Sequence, residues 1–282
     1  MSLLDRIREC DNAADLEGIL PFSAGGVRVG WMEGEFAAAL AAYPGVFAFG
    51  PEGISLAPGL TGYAERTGAV ADVLRALEPD GWFTGWRDEA YPVGTGFYDP
   101  PLFEMERAAV PRFGIRAYGV HVNGFVRRDD GLYLWIGRRA DDKPTFPGML
   151  DNMVAGGQPV GIGLKENVIK EAAEEASVPE AIAEQAISVG AISYRHLFDD
   201  GIKPDVMFVF DMEVPEDFVP VSADGEMAAF ECLPAEEVMR ICAETRDFKF
   251  NCAVVNIDFF VRHGVLTPDH PDYLEILRGM HR

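Results

Sequence analysis

Residues 156–178, GGQPVGIGLKENVIKEAAEEASV, constrain the fold more than any other stretch of the chain. Four glycines (Gly156, Gly157, Gly161, Gly163) predict a loop with backbone angles that side chains forbid, and a run of helix-forming composition follows at once. At about 100° per residue, Glu171, Glu174 and Glu175 share roughly a third of the helix circumference, while Val168, Ile169, Ala172, Ala173 and Ala176 fall largely opposite. One face is apolar and the other is crowded with carboxylate. Like charges at i, i+3 and i+4 destabilise a bare helix, so this face needs either solvent or a cation. A hard divalent cation suits it, because Mg²⁺ takes a few carboxylates together with water and phosphate oxygens.

This stretch resembles the Nudix box, in which a glycine, five residues, a glutamate, seven residues and then R-E-U-x-E-E-x-G-U (U aliphatic) form a loop and a metal-binding helix. Glu171, Glu174 and Glu175 match the three helix glutamates, Lys170 stands where arginine is usual, and Val178 matches the closing aliphatic. The earlier glutamate of the pattern falls on Ile162 or Gly163, depending on the direction of counting, so the usual loop-to-helix ion pair cannot form. Glu166, four residues before Lys170, is the expected substitute, at about 0.2 to 0.5 kcal/mol. Ser177 replaces the glycine that follows the helix, and the expected stop is Pro179, which disfavours helix in the residue before it.

Acidic residues outnumber basic ones by 46 to 24, for a formal net charge of −22. That sign opposes binding to nucleic acid backbones and to anionic membranes. It equally opposes a free diphosphate unless a metal and local cations reverse the field at the site. No apolar run is long enough to span a bilayer, and MSLLDRIRECDNAADLE is too acidic for a signal peptide, which predicts a cytoplasmic protein. Cys10, Cys232, Cys242 and Cys252 lie far apart with no CxxC, as expected of buried thiols.

The 282 residues divide in this reading into an amino-terminal α+β unit, residues 1–112, and a second unit, residues 113–282. In the first, Ser2 to Cys10, Glu35 to Ala42 and Thr67 to Leu77 read as helices, Val27 to Met32 as a strand, and Val46 to Leu56 as two strands turning at GPEG. An aromatic cluster (Trp82, Phe83, Trp86, Tyr91, Phe97, Tyr98) suits a small core or, as the lesser alternative, the wall of a ligand pocket. In the second, Tyr118 to Val126 and Leu132 to Arg139 read as strands joined by the turn RDDG. Further strands are expected at Ala186 to Tyr194, Val206 to Val214 and Glu226 to Leu233, with closing helices at Lys249 to His263 and Asp272 to Leu277. The strand, loop, helix, strand order implies a mixed sheet with helices packed on it.

PGMLDNMVAGGQPVG, FGIRAYGVHVNGF and FKFNCAVVNIDFFVRHGVLTPDHPDYLEIL together resemble a Nudix subfamily whose domain precedes thiamine pyrophosphokinase in some fungi. The resemblance implies an α/β/α sandwich with a mixed sheet, preceded by a smaller amino-terminal domain, and hydrolysis of oxo and oxy forms of thiamine diphosphate to monophosphates. It assigns Glu171, Glu174 and Glu175 to Mg²⁺, with Mn²⁺ as an alternative, and Glu226 to the same site as ligand or general base. A diphosphate bond breaks when water attacks phosphorus in line, so positioning and positive charge supply most of the catalysis. Arg138, Arg139, Lys143 and Arg195 are candidates to hold phosphate, and Trp135 is a candidate either to stack on a heterocycle or to pack under a helix. Two other readings share this motif: hydrolysis of a nucleoside diphosphate derivative, and a Nudix-fold binding protein that does not hydrolyse.

Overall fold

A computed structural model describes residues 1–13, 18–198 and 201–281. The amino-terminal half comprises α1 (Leu3–Cys10), β1 (Ile19–Ala24), β2 (Val27–Glu33), α2 (Gly34–Leu40), β3 (Phe47–Gly50), β4 (Gly53–Leu56), α3 (Tyr63–Leu77), β5 (Ala90–Val93) and β6 (Phe103–Glu106). A capping box starts α1, with Asp5 N donating to Ser2 Oγ at 3.2 Å and Ser2 N to Asp5 Oδ2 at 2.8 Å. Strands β1 to β4 form one sheet in the order β2-β1-β4-β3, and β5 pairs with β6. Phe22, Phe36, Phe47 and Phe113 meet edge-on or tilted in its core, and Val70, Val73 and Leu74 of α3 close that core. Helix α1 packs elsewhere. Its Leu3, Leu4, Ile7 and Cys10 are buried in the core that lies beneath the carboxy-terminal helices.

The remaining elements are β7 (Tyr118–Arg128), β8 (Gly131–Arg139), β9 (Leu150–Asn152), β10 (Val154–Gly157), α4 (Leu164–Ala176), α5 (Glu180–Ala183), β11 (Ile187–Ser193), β12 (His196–Phe198), β13 (Gly201–Lys203), β14 (Val206–Glu213), β15 (Met227–Pro234), α6 (Ala235–Glu244), α7 (Phe250–Arg262) and α8 (Tyr273–Gly279). A mixed sheet runs β11-β14-β7-β8-β15, with β10 also on β7 and β9 on β8. Only β14 and β7 are parallel; the other pairs of this sheet are antiparallel. Strand alternation sends Val120, Val122 and Val126 of β7 into the core under α4, whereas Phe125 enters the core shared with α1, α6, α7 and α8. Helices therefore cover both faces, and the chain folds as an α/β/α sandwich with the amino-terminal sheet beside it. Among the described residues, no helix is long and apolar enough to cross a membrane.

Two expectations about the central stretch change. Gly156 and Gly157 lie in β10 rather than in a loop, opposite Val120 and Gly119 of β7. They lack side chains because neighbours fill that space: a Cβ on Gly156 would overlap the Glu171 side chain, and one on Gly157 would overlap the Tyr91 hydroxyl. The end of α4 differs too. Ser177 itself adopts the left-handed conformation (φ 50°) that glycine usually supplies, so the helix stops before Pro179 acts. The Ser177 hydroxyl donates to the Val221 carbonyl at 2.7 Å, which offsets part of the strain.

Candidate active site

Helix α4 lays Glu171 and Glu175 against β10. Glu175 is buried, and its Oε2 accepts from the Ala155 backbone N–H at 2.7 Å. Burial pushes its pKa well above the usual carboxylate range, and the carboxylates of Asp151, Glu171 and Glu226 add to that push. Glu171 is also raised by burial, against the pull of Lys170. Glu174 faces outward and is half exposed; Lys170 Nζ lies 3.2 Å from it and 2.9 Å from Glu171. Lys170 therefore pairs with Glu171 and Glu174, not with Glu166, because these two carboxylates flank it on the crowded face.

The loop before α4 is tied down by neutral amides instead of an ion pair. Asn167 Nδ2 donates to the Gly157 carbonyl at 2.8 Å and to Gln158 Oε1 at 3.0 Å, and Gln158 Nε2 donates to the Ile162 carbonyl at 2.6 Å. Both side chains are buried. Glu226, just before β15, is brought toward the same group of carboxylates; it pairs with Lys143, and with Arg87 of the amino-terminal half at 3.4 Å. Burial raises its pKa, but Lys143 and Arg87 outweigh burial and hold the carboxyl below its usual range.

A cavity of about 210 Å³ opens beside this helix. Ala155, Gly156 and Gly157 form one wall, and Tyr91 and Arg107 of the amino-terminal half form the next. Arg107 donates to Glu89 at 2.8 Å, with its guanidinium 5.6 Å from the Tyr91 ring centre and close enough to lower the Glu171 carboxyl pKa. Lys203 and Lys249 add positive charge, while Phe146, Tyr194, Asp205, Phe250 and Asn251 line the far side.

Most of the cations expected to hold phosphate lie outside this cavity. Arg139 is 8% exposed, and its guanidinium is used up by Asp151 (2.8 Å) and the carbonyls of Phe146 (3.0 Å) and Thr145 (2.9 Å). It braces the 145–148 turn from within. Arg138 donates to the Gly148 carbonyl at 3.1 Å on the outer side of the same turn. Lys143 is engaged by Glu226. Arg195 is held at its backbone by Asp11 and Ala13, beside α1. Trp135 packs into the core beneath α4 with Val126, Val168 and Ala172, because alternation along β8 points it to that face; it does not line the cavity.

The donor set beside β10 consists of carboxylates, which suits a hard divalent ion. His121, Asp151 and Cys252 also converge, with ligand atoms within 4.8 Å of one another. That group carries its own counter-charges: Arg139 lies 2.8 Å and Lys249 3.9 Å from Asp151, and the Cys252 thiol donates to Asp151 at 2.7 Å. Burial, reinforced by the Asp151 charge, pushes the thiol pKa well up, so the sulfur keeps its proton and the cluster is a buried hydrogen-bond network.

The residues that sequence reasoning missed (Arg107, Asp205, Lys249) are far from the box in sequence and converge only through packing; Tyr91, of the aromatic cluster, joins them on the wall. A lone acid just before the apolar strand VMFVF, and a lysine opening the FNCAVV helix, were the available signals.

Residues 2–117 match a family described as a domain of unknown function, DUF4743. "Nudix hydrolase 20, chloroplastic" of Arabidopsis thaliana is 42% identical, covering 98% of this chain and 76% of its own length. "Nudix hydrolase 24, chloroplastic" of the same plant is 40% identical over 98% of this chain and 77% of its own. A solved MutT protein from Methanosarcina mazei Go1 is 20% identical, with a TM-score of 0.39 over 51% of this chain and 94% of that one. With identity at this level over almost its whole length, and with the glutamate helix laid against the sheet beside a cation-lined cavity, the chain belongs to the Nudix hydrolase family.

Proposed function

We propose that this Nudix hydrolase is a Mg²⁺-dependent diphosphatase, with Mn²⁺ as an alternative metal, acting on oxidised (oxo or oxy) thiamine diphosphate and releasing the monophosphate. The observation that carries the reading is the continuity of one cavity. Its lining joins Ala155–Gly157, which back onto Glu171 and Glu175, with the cations Arg107, Lys203 and Lys249 and the rings of Tyr91, Phe146, Tyr194 and Phe250. A molecule that carries both negative charge and a flat ring fits that lining.

Glu171 and Glu175 would hold the metal, with Glu174 at the outer edge and Glu226 completing the set once Lys143 and Arg87 release it. When bound, the ion neutralises phosphate charge and acidifies a water. Arg107 faces the same space and orients phosphate oxygens, leaving Glu226 or Glu175 to accept the proton of the attacking water. Water adds to one phosphorus, the bridging P–O bond breaks, and two monophosphate species leave. The net charge of −22 makes the local cations and the metal necessary rather than incidental.

Phosphate release from oxothiamine diphosphate, thiamine diphosphate, ADP-ribose and common nucleoside diphosphates, measured with Mg²⁺ and with chelator, tests the reading. Preference for the oxidised thiamine compound, lost with chelator and in Glu175→Gln, is the expected result. Turnover of nucleotides alone would move the substrate to a nucleoside diphosphate derivative. Metal binding with no turnover of any compound would leave a binding protein.

A further inference from the structure

Glu226 is matched by more positive charge than one carboxylate needs. Lys143 and Arg87 both pair with it, and among the described residues neither makes an ion pair with any other carboxylate. The Lys143 side chain is only 9% exposed, and a desolvated ammonium that loses its one anion is costly unless a second anion takes its place. Arg87, at 41%, is open enough to turn toward a new partner. The backbone on both sides is pinned. Glu226 N donates to Asp224 Oδ1 at 2.8 Å and its carbonyl accepts from Ala140 N at 2.9 Å, so the carboxylate is free to move only by its own rotamers. In the facing segment, Arg87 N donates to Glu106 Oε1 at 3.0 Å and Trp86 Nε1 to Asp88 Oδ1 at 2.9 Å, with Asp88 in the left-handed conformation (φ 54°). Both cations border the cavity. Lys143 stands two residues before Thr145 of its wall, and Arg87 two residues before Glu89, the partner of the cavity residue Arg107.

We propose that Arg87 and Lys143 are phosphate-binding residues held in place by Glu226, and that they exchange this carboxylate for substrate phosphate as Glu226 turns to the metal. The exchange rests on the diphosphatase reading, in which Glu226 belongs to the metal set. Charge is matched at both stages: first two cations on one carboxylate, then the carboxylate on a divalent ion and the two cations on phosphate oxygens. Neither half is favourable alone. Drawing Glu226 away without phosphate strands the Lys143 ammonium, and phosphate that arrives first finds both cations already taken. Metal and phosphate therefore bind with positive coupling, and each tightens the other by the same factor. Arg87 comes from the amino-terminal half, which thus supplies part of the phosphate site as well as a wall of the cavity.

Calorimetry with Mg²⁺ alone, and with Mg²⁺ in the presence of inorganic phosphate, reads the exchange without any turnover. In wild type, phosphate should tighten Mg²⁺ at least about fivefold. Arg87→Ala should bind Mg²⁺ alone about threefold more tightly than wild type, because Glu226 has lost one competitor, yet gain less from phosphate. Arg87→Lys should return both quantities toward wild type, and Arg87→Gln serves as the second variant should alanine disturb the melting profile. A merely structural role would weaken both bindings and not move them in opposite directions. A general effect of removing positive charge is separated by Glu226→Gln and Arg87→Ala/Glu226→Gln, which should bind Mg²⁺ alike. Mg²⁺ binding that Arg87→Ala leaves unmoved, or tightening that persists without Glu226, overturns the exchange while the diphosphatase reading stands. With phosphate present, Glu226→Gln should weaken Mg²⁺, and undiminished binding there removes Glu226 from the metal set and overturns both.

Discussion

The Tyr91 hydroxyl occupies the space that a side chain on Gly157 would fill, and the Arg107 guanidinium carbon lies 3.6 Å from the same point. Tyr91 belongs to β5 and Gly157 closes β10, so the amino-terminal half is packed onto the strand that leads into the glutamate helix. Gly157→Ala must push Tyr91 away, whereas Arg107 is already at ordinary contact distance. The expected cost is about 1 to 3 kcal/mol in denaturant unfolding, with a fall in turnover. Tyr91→Ala in the same chain should recover part of the stability. Strict additivity of the two substitutions would show that the contact carries no energy.

The amide pair at the start of α4 gives a second test. Asn167→Ala removes the donor to the Gly157 carbonyl and leaves Gln158 Oε1 buried without its partner. Loss of a buried partner costs about 1 to 3 kcal/mol. Gln158→Ala added to Asn167→Ala should cost less than the sum of the separate changes. Glu166→Ala should change stability by less than about 0.5 kcal/mol, since exposed charges distant from the lysine contribute little. A Glu166→Ala loss as large as that of Asn167→Ala would restore the ion-pair expectation.

Ser177 separates strain from hydrogen bonding. Ser177→Ala keeps the left-handed conformation and loses the bond to the Val221 carbonyl, so melting should show a loss of about 1 kcal/mol. Ser177→Gly loses the same bond but relieves about 1 kcal/mol of backbone strain, and should be nearly neutral. Alanine and glycine with equal stability would mean that the helix end tolerates the strain at no cost.

Local chemistry made the helix and strands around the box legible: RDDG turns β7 into β8, and the 3.6-residue period of 164–176 is visible in the residues themselves. Glu171 and Glu175 followed from that period. Legibility stopped where long-range packing began. Arg138 and Arg139 looked like free cations because their spacing says nothing of the turn they brace, whereas Arg107 reaches the cavity from a segment about fifty residues before the box. The glycines at 156 and 157 read as a loop because the sequence shows missing side chains and not the Glu171 and Tyr91 atoms that take their place. The helix at Ser2 to Cys10 was visible, but its burial against the carboxy-terminal helices was not, since a helical stretch does not name its partner.

His121 supplies a pH test. It lies on the cavity wall, buried, with Nδ1 2.9 Å from Asn152 Oδ1; Nδ1 therefore carries the hydrogen of a neutral ring. Burial, aided by the charge on Lys249, lowers its pKa from 6.5 to about 4. The folded pKa is thus below the unfolded one, so the unfolded chain binds more protons as pH falls between these values. The stability tied to the neutral ring is fully present above pH 6.5 and declines on acidification until about pH 4, where the folded ring also protonates. The total is on the order of 3 kcal/mol. Urea midpoints of wild type and His121→Gln, measured between pH 7 and pH 4, isolate this contribution from other acids that titrate there. The wild-type advantage should shrink as pH is lowered through that window, and a difference that stays constant with pH would place the proton on some other group.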